Sequence, residues 1–128
     1  MDNNEKIIAE SIYNELVKFD VAWDKVVFYA EISKDNYMME FYMPDKNGKY
    51  VKCYNIDNIT DEELNKAFEQ IFNAVNPIWL NLDEKNQWSN LTFIVDNEGN
   101  FQINYDYTDL TENCYEYRKQ WKNKYLNI

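Results

Sequence analysis

The chain has only two glycines, and each closes a short polar turn between stretches that alternate apolar and polar residues. The turns read Pro44-Asp45-Lys46-Asn47-Gly48 and Asp96-Asn97-Glu98-Gly99. Asn-Gly and Gly tolerate the positive φ of a tight hairpin, and proline cannot extend a hydrogen-bond ladder, so both turns favour antiparallel pairing. Before the first turn, Trp23 to Ile32 places Val26, Phe28, Ala30 and Ile32 on one face, with Val27, Tyr29 and Glu31 on the other. Tyr37 to Met43 repeats the pattern, with Met39, Phe41 and Met43 opposite Met38, Glu40 and Tyr42, and Tyr50 to Tyr54 returns as a third strand. Around the second turn, Leu91, Phe93 and Val95 read as inward and Asn90 and Thr92 as outward, with Ile94 an imperfection. Phe101, Ile103, Tyr105 and Tyr107 then share one face, against Gln102, Asn104 and Asp106. This period of two is the signature of half-buried strands.

Three segments carry helical spacing instead. Asp2 to Phe19 repeats Ile8, Ile12 and Leu16 at every fourth position. Thr60-Asp61-Glu62-Glu63 fits a capping box opening a helix with the stripe Leu64, Phe68, Ile71 and Val75. Pro77 is expected to end or kink that helix at Asn76, with Ile78 to Leu82 as a possible second short helix. A last helix, capped by Thr108 or Asp109, carries Cys114, Tyr117, Trp121 and Tyr125. The expected fold is α+β, an antiparallel sheet of about five strands with helices packed on one face, in the order α-βββ-α(α)-ββ-α. Residues 1–128 are expected to form one domain.

Charge narrows the partners. With 23 acidic residues against 13 basic and no histidine, the formal net charge is -10. Such a field repels nucleic acid and anionic membrane and speeds encounter with basic proteins. Neither is expected as a direct ligand. An acidic balance is also a common solubility device, which explains the total without a partner. The amino terminus has no basic region or apolar run of signal length, so a cytoplasmic location is expected.

Catalytic chemistry finds little support. Without histidine, a GxSxG sequence or a recognisable cysteine motif, nucleophilic catalysis lacks its base and its nucleophile. Two glycines do not make a phosphate cradle, Cys53 and Cys114 read as small core residues, and neither glycine turn completes a calcium loop. No metal or cofactor is expected. Asp106 and Asp109 are the best pair for a carboxylate-dependent hydrolase, yet a strand end and a helix cap explain both.

Binding surfaces remain. Asp96, Glu98, Asp106, Asp109, Glu112 and Glu116 form a stretch without lysine or arginine, followed by Arg118, Lys119, Lys122 and Lys124. A solvated hairpin edge and a helix with basic last turns account for that order, while the functional reading is that the acidic block imitates phosphates or neutralises a basic cleft. Tyr29, Tyr42, Tyr50 and Tyr54 read as a second patch on the outer sheet face beside Glu31 and Glu40: a contact surface, cross-strand pairs, or a face that a helix covers.

The amphipathic start IIAESIYNEL, the strand AWDKVVFYAEI, the segments FYM and KYVKCY, the hairpin FIVDNEGNFQINYDY and the ending YTDL with WKNKYL together resemble the YezG/EsaG-like immunity proteins. These are bacterial antitoxins paired with secreted polymorphic toxins. The resemblance spans nearly the whole chain. It implies a cytoplasmic, non-enzymatic α+β protein that binds a cognate toxin domain, often a nuclease, and it supplies no catalytic residues. The expected partner is therefore a basic toxin domain. The hydrolase and an acidic adaptor unrelated to toxins remain as alternatives.

Overall fold

Both glycine turns are built by the same device. Gly48 and Gly99 sit at φ 81° and 87°, the left-handed region. In the first turn Asp45 Oδ1 accepts from the backbone N–H of Asn47 and Lys49, at 2.8 and 3.0 Å. In the second, Asp96 Oδ1 accepts from Glu98 and Asn100, at 2.9 and 3.0 Å. The opening aspartate of each turn thus satisfies amides that no strand partner reaches.

The computed structural model describes residues 2–128. Along the chain lie α1 (Asn3–Leu16), β1 (Lys25–Ile32), β2 (Tyr37–Pro44), β3 (Tyr50–Lys52), α2 (Asp61–Leu80), β4 (Asn90–Asp96), β5 (Phe101–Asp106) and α3 (Cys114–Leu126). Short 3-10 turns at Cys53–Asn55 and Glu84–Asn86 flank α2. The five strands stand in the order β3-β2-β1-β4-β5, every neighbouring pair antiparallel. α2 carries the chain from the β3 edge back to the centre, where β4 pairs with β1.

One face of the sheet is dry. Val26, Phe28 and Ala30 of β1, Met39 and Phe41 of β2, and Leu91, Phe93 and Val95 of β4 pack against Ile8, Ile12 and Leu16 of α1 and Leu64, Phe68, Ile71 and Val75 of α2. Full burial of such side chains stabilises by about 1.5–3 kcal/mol each, so this layer supplies most of the driving force. The capping box is present in both directions: Thr60 Oγ1 accepts from Glu63 N at 3.1 Å, and the Glu63 carboxylate accepts from Thr60 N at 3.0 Å.

The α+β class, the five antiparallel strands and the element order are as expected from the sequence. Three details differ. α2 does not end at Asn76 but runs through Pro77 to Leu80. Pro77 lies in the last turn, where little of the ladder remains to be lost. Trp79 prolongs the buried stripe, its indole donating to the Trp88 carbonyl at 2.8 Å. The final helix begins at Cys114, after Asn113 in a left-handed conformation, and neither Thr108 nor Asp109 caps it. Finally, the helices do not share one face. α3 covers the opposite side, where Trp121 and Leu126 pack with Val27, Tyr29 and Tyr42. Val27 and Ile94, the latter an irregularity in its strand pattern, make that second face apolar enough to require cover.

Candidate partner-binding surface

The covered second face changes the tyrosine patch. Tyr29 and Tyr42 are 1% and 3% exposed, beneath α3, because Trp121 lies over both rings at centroid distances of 4.6 and 5.9 Å. They are not part of an open surface. Tyr50 is half-buried and Tyr54 remains exposed, with Lys25 Nζ 6.0 Å from the Tyr50 ring and Lys52 Nζ 5.9 Å from the Tyr54 ring. Asn90 and Thr92, expected to face solvent, are buried by the same helix.

Polar contacts dock α3. Arg118 grips Glu31 through two parallel hydrogen bonds, Nε to Oε2 and Nη2 to Oε1, both 2.7 Å. Tyr29 donates to the same carboxylate at 2.7 Å. Trp121 Nε1 donates to Thr92 Oγ1 at 2.8 Å, Tyr117 to Asn90 Oδ1 at 2.9 Å, and Asn104 to the Tyr125 hydroxyl at 3.1 Å. Beside them Tyr42 donates to Glu40, which also pairs with Lys52 at 2.9 Å. The Glu31 hydrogen bonds, assisted by charge, raise the Arg118 pKa above its ordinary value. Burial drives the Tyr29 and Tyr42 hydroxyls well above theirs, reinforced by the neighbouring carboxylates, and burial pushes Tyr117 up to about 12.

The acidic block is divided between the two ends of the sheet. Asp96 and Glu98 occupy the β4–β5 turn, while Asp106, Asp109, Glu112 and Glu116 lie at and beyond the far end of β5, about 20 Å away for six strand residues. Asp106 is half-buried in the row Glu31, Asn90, Asp106 that crosses three strands. Its carboxylate accepts from Thr108 N at 2.8 Å, and Asp109 Oδ1 accepts from Thr111 N and Oγ1 at 2.9 and 2.7 Å. Asp96, Asp106 and Asp109 therefore brace local turns. The hydrogen bond from the Asn100 side chain lowers the Asp96 pKa, and that from the Thr111 backbone lowers Asp109. Burial pulls Asp106 upward, but the Thr108 hydrogen bonds prevail and hold it below the usual range. A general acid needs the reverse, a carboxyl with a raised pKa, so this pair is poorly poised for hydrolysis. Among the described residues Glu98, Glu112 and Glu116 accept no side-chain hydrogen bond, and no member of the block forms an ion pair.

Sequence reasoning missed the feature beside Asp109. A groove of about 600 Å³ opens where β1 ends, β2 begins and the chain leaves β5. Tyr37 and Tyr107 supply its exposed aromatic surface, above Trp79 and Trp88, which are only 8% and 3% exposed, and Glu84 and Asp109 line it with no lysine or arginine. Its residues come from around positions 31–38, 79–89 and 107–111, segments that only strand pairing brings together. A signal was available in the paired tryptophans flanking the polar 83–87 connection, but spacing alone does not join them to Tyr107. Among the described residues no helix is long and apolar enough to cross a membrane.

The model of the YezG-like immunity protein family matches residues 3–128. The chain is similar to Immunity protein YezG of Bacillus subtilis, at 25% identity over 100% of this chain and 89% of that protein. It is also similar to Immunity protein YezG of Bacillus spizizenii, at 33% identity over 80% of this chain and 66% of that protein.

Proposed function

This chain belongs to the YezG-like immunity protein family, and from that premise we propose that it neutralises a basic toxin domain, a nuclease, by occluding the surface that holds nucleic acid. Family membership supports the immunity role. The toxin's chemistry and the mode of docking are our reading, carried by one observation: the carboxylates from Asp106 to Glu116 have no cationic partner among the described residues, in a chain of net charge -10. A nuclease cleft is positively charged because it must hold phosphates, and unpaired carboxylates compete for the same lysines and arginines. Inhibition by occlusion is stoichiometric and takes place in the cytoplasm of the producing cell.

The test is co-expression with the product of the neighbouring gene. Formation of a stable complex, growth protection and loss of nucleic-acid cleavage at a one-to-one ratio are expected. A neighbouring product that leaves nucleic acid intact overturns the nuclease assignment, and neutralisation by a small fraction of an equivalent overturns occlusion in favour of a catalytic mechanism.

A further inference from the structure

We propose that the groove at the end of β5 receives an arginine side chain of the toxin domain, an inference that rests on the reading that the partner is a basic protein. Its volume, about 600 Å³, is in the range that accommodates a compact ligand and is ample for one long side chain with its flanking backbone. Its walls are fixed before any partner arrives. The Trp79 indole is tied to the Trp88 carbonyl at 2.8 Å, Gln87 donates to the Trp79 carbonyl at 3.2 Å, and Tyr37 stacks on Phe72 at 4.6 Å. Tyr107, 57% exposed, stands at the rim.

The chemistry of these walls selects the occupant. The exposed rings of Tyr107 and, on the side away from Phe72, Tyr37 attract a guanidinium, whose plane stacks on such faces, and carboxylates take its N–H groups in a fork. Glu84 and Asp109 form no ion pair among the described residues. Asp109 directs Oδ1 to Thr111, which anchors the carboxylate and leaves Oδ2 to accept from a ligand. Lysine, a compact and strongly hydrated charge, gains less from such walls than arginine does. At the rim the protein already makes this bond with itself, since Glu31, a lining residue, holds Arg118 bidentately. Arg118 is the chain's one arginine. A second copy therefore has no free guanidinium to offer, and the occupant must come from a different protein.

The probe is the peptide acetyl-Gly-Arg-Gly-amide titrated into the isotope-labelled full chain, beside the same peptide with citrulline, the neutral isostere of arginine. Saturable NMR shifts are expected at the Trp79 and Trp88 indoles and at the amides of Tyr107 to Thr111. Citrulline should bind about tenfold or more weakly, and the Glu84→Gln/Asp109→Asn double variant, its spectrum otherwise retained, should lose the preference. Equal binding of the two peptides, shifts located elsewhere, or no shifts through the millimolar range overturn the proposal. A second arm uses the neighbouring toxin domain with the same double variant. Binding as tight as that of the unaltered chain refutes the groove while leaving the immunity reading intact, whereas failure to bind even the unaltered chain refutes the toxin assignment and the groove's proposed occupant with it.

Discussion

The two faces of the sheet are held by different physics. Under α1 and α2, Phe28, Phe41 and Phe93 are fully buried among aliphatic side chains, and the layer contains almost no directional bonding. Under α3, one tryptophan and two tyrosines are embedded in a net of carboxylate, amide and hydroxyl contacts anchored by Arg118 and Glu31. Apolar burial is non-directional and sums over area, so the first face sets global stability. Polar contacts exchange with water at small net gain, so they fix where α3 sits more than they stabilise the fold. α3 is therefore expected to undock as a unit before the sheet opens.

Large-to-small substitutions separate the faces most strongly. Phe93→Ala, at the centre of the dry layer, should cost about 3–5 kcal/mol of global stability in denaturant titration. Trp121→Ala removes a comparable side chain and its bond to Thr92, yet its cost should stop at about 2–3 kcal/mol, because undocking of α3 caps the loss. Hydrogen exchange should then show α3 amides unprotected while β1 and β4 keep their protection. Simultaneous loss in all three elements would make the two faces one cooperative unit and end the comparison.

Charge gives a smaller effect. Arg118→Met leaves the partly buried Glu31 carboxylate with only the Tyr29 hydroxyl, and should cost about 1–2 kcal/mol, discounted because the Arg118 side chain is 38% exposed. Adding Glu31→Gln should recover much of it, as a double-mutant cycle would show. The smallest effect at neutral pH is tyrosine linkage. The pKa values of Tyr29, Tyr42 and Tyr117 are raised in the folded state, mainly by burial. Their contribution is complete below the unfolded value of about 10 and is lost as pH rises toward the folded values, since the unfolded chain ionises first. Denaturant midpoints should hold to about pH 10 and then fall, and tyrosinate absorbance should lag behind that of an unfolded control. Parallel titration of the two states would contradict this.

The sequence made one face legible and concealed the other. Alternation in β1 to β5, the aspartate-initiated turns and the Thr60 capping box are local features, and each is read within a few residues. A helical stripe such as Tyr117, Trp121 and Tyr125 shows that a helix has an apolar side, but not which face of a sheet it meets. Tyr29 and Tyr42 therefore read either as an open patch or as a face under a helix. Asp96 reads as part of a hairpin turn, and Asp106 and Asp109 as a strand end and a helix cap or as contacts for a partner, because the hydrogen bonds with which they brace turns leave no mark on charge order. The groove was least visible, since its walls join segments some seventy residues apart.

Those turn bonds also identify the cleaner electrostatic probes. Reversing Asp109 would disturb Thr111, whereas the Glu112 and Glu116 carboxylates are exposed and accept no hydrogen bond among the described residues. Charge-driven docking is tested by the association rate with the neighbouring toxin domain across ionic strength, for the unaltered chain and for Glu112→Lys/Glu116→Lys. If the acidic block steers docking, the rate falls steeply with salt for the unaltered chain, and the variant binds more slowly with a flatter salt dependence. Identical rates and slopes for the two proteins would contradict it.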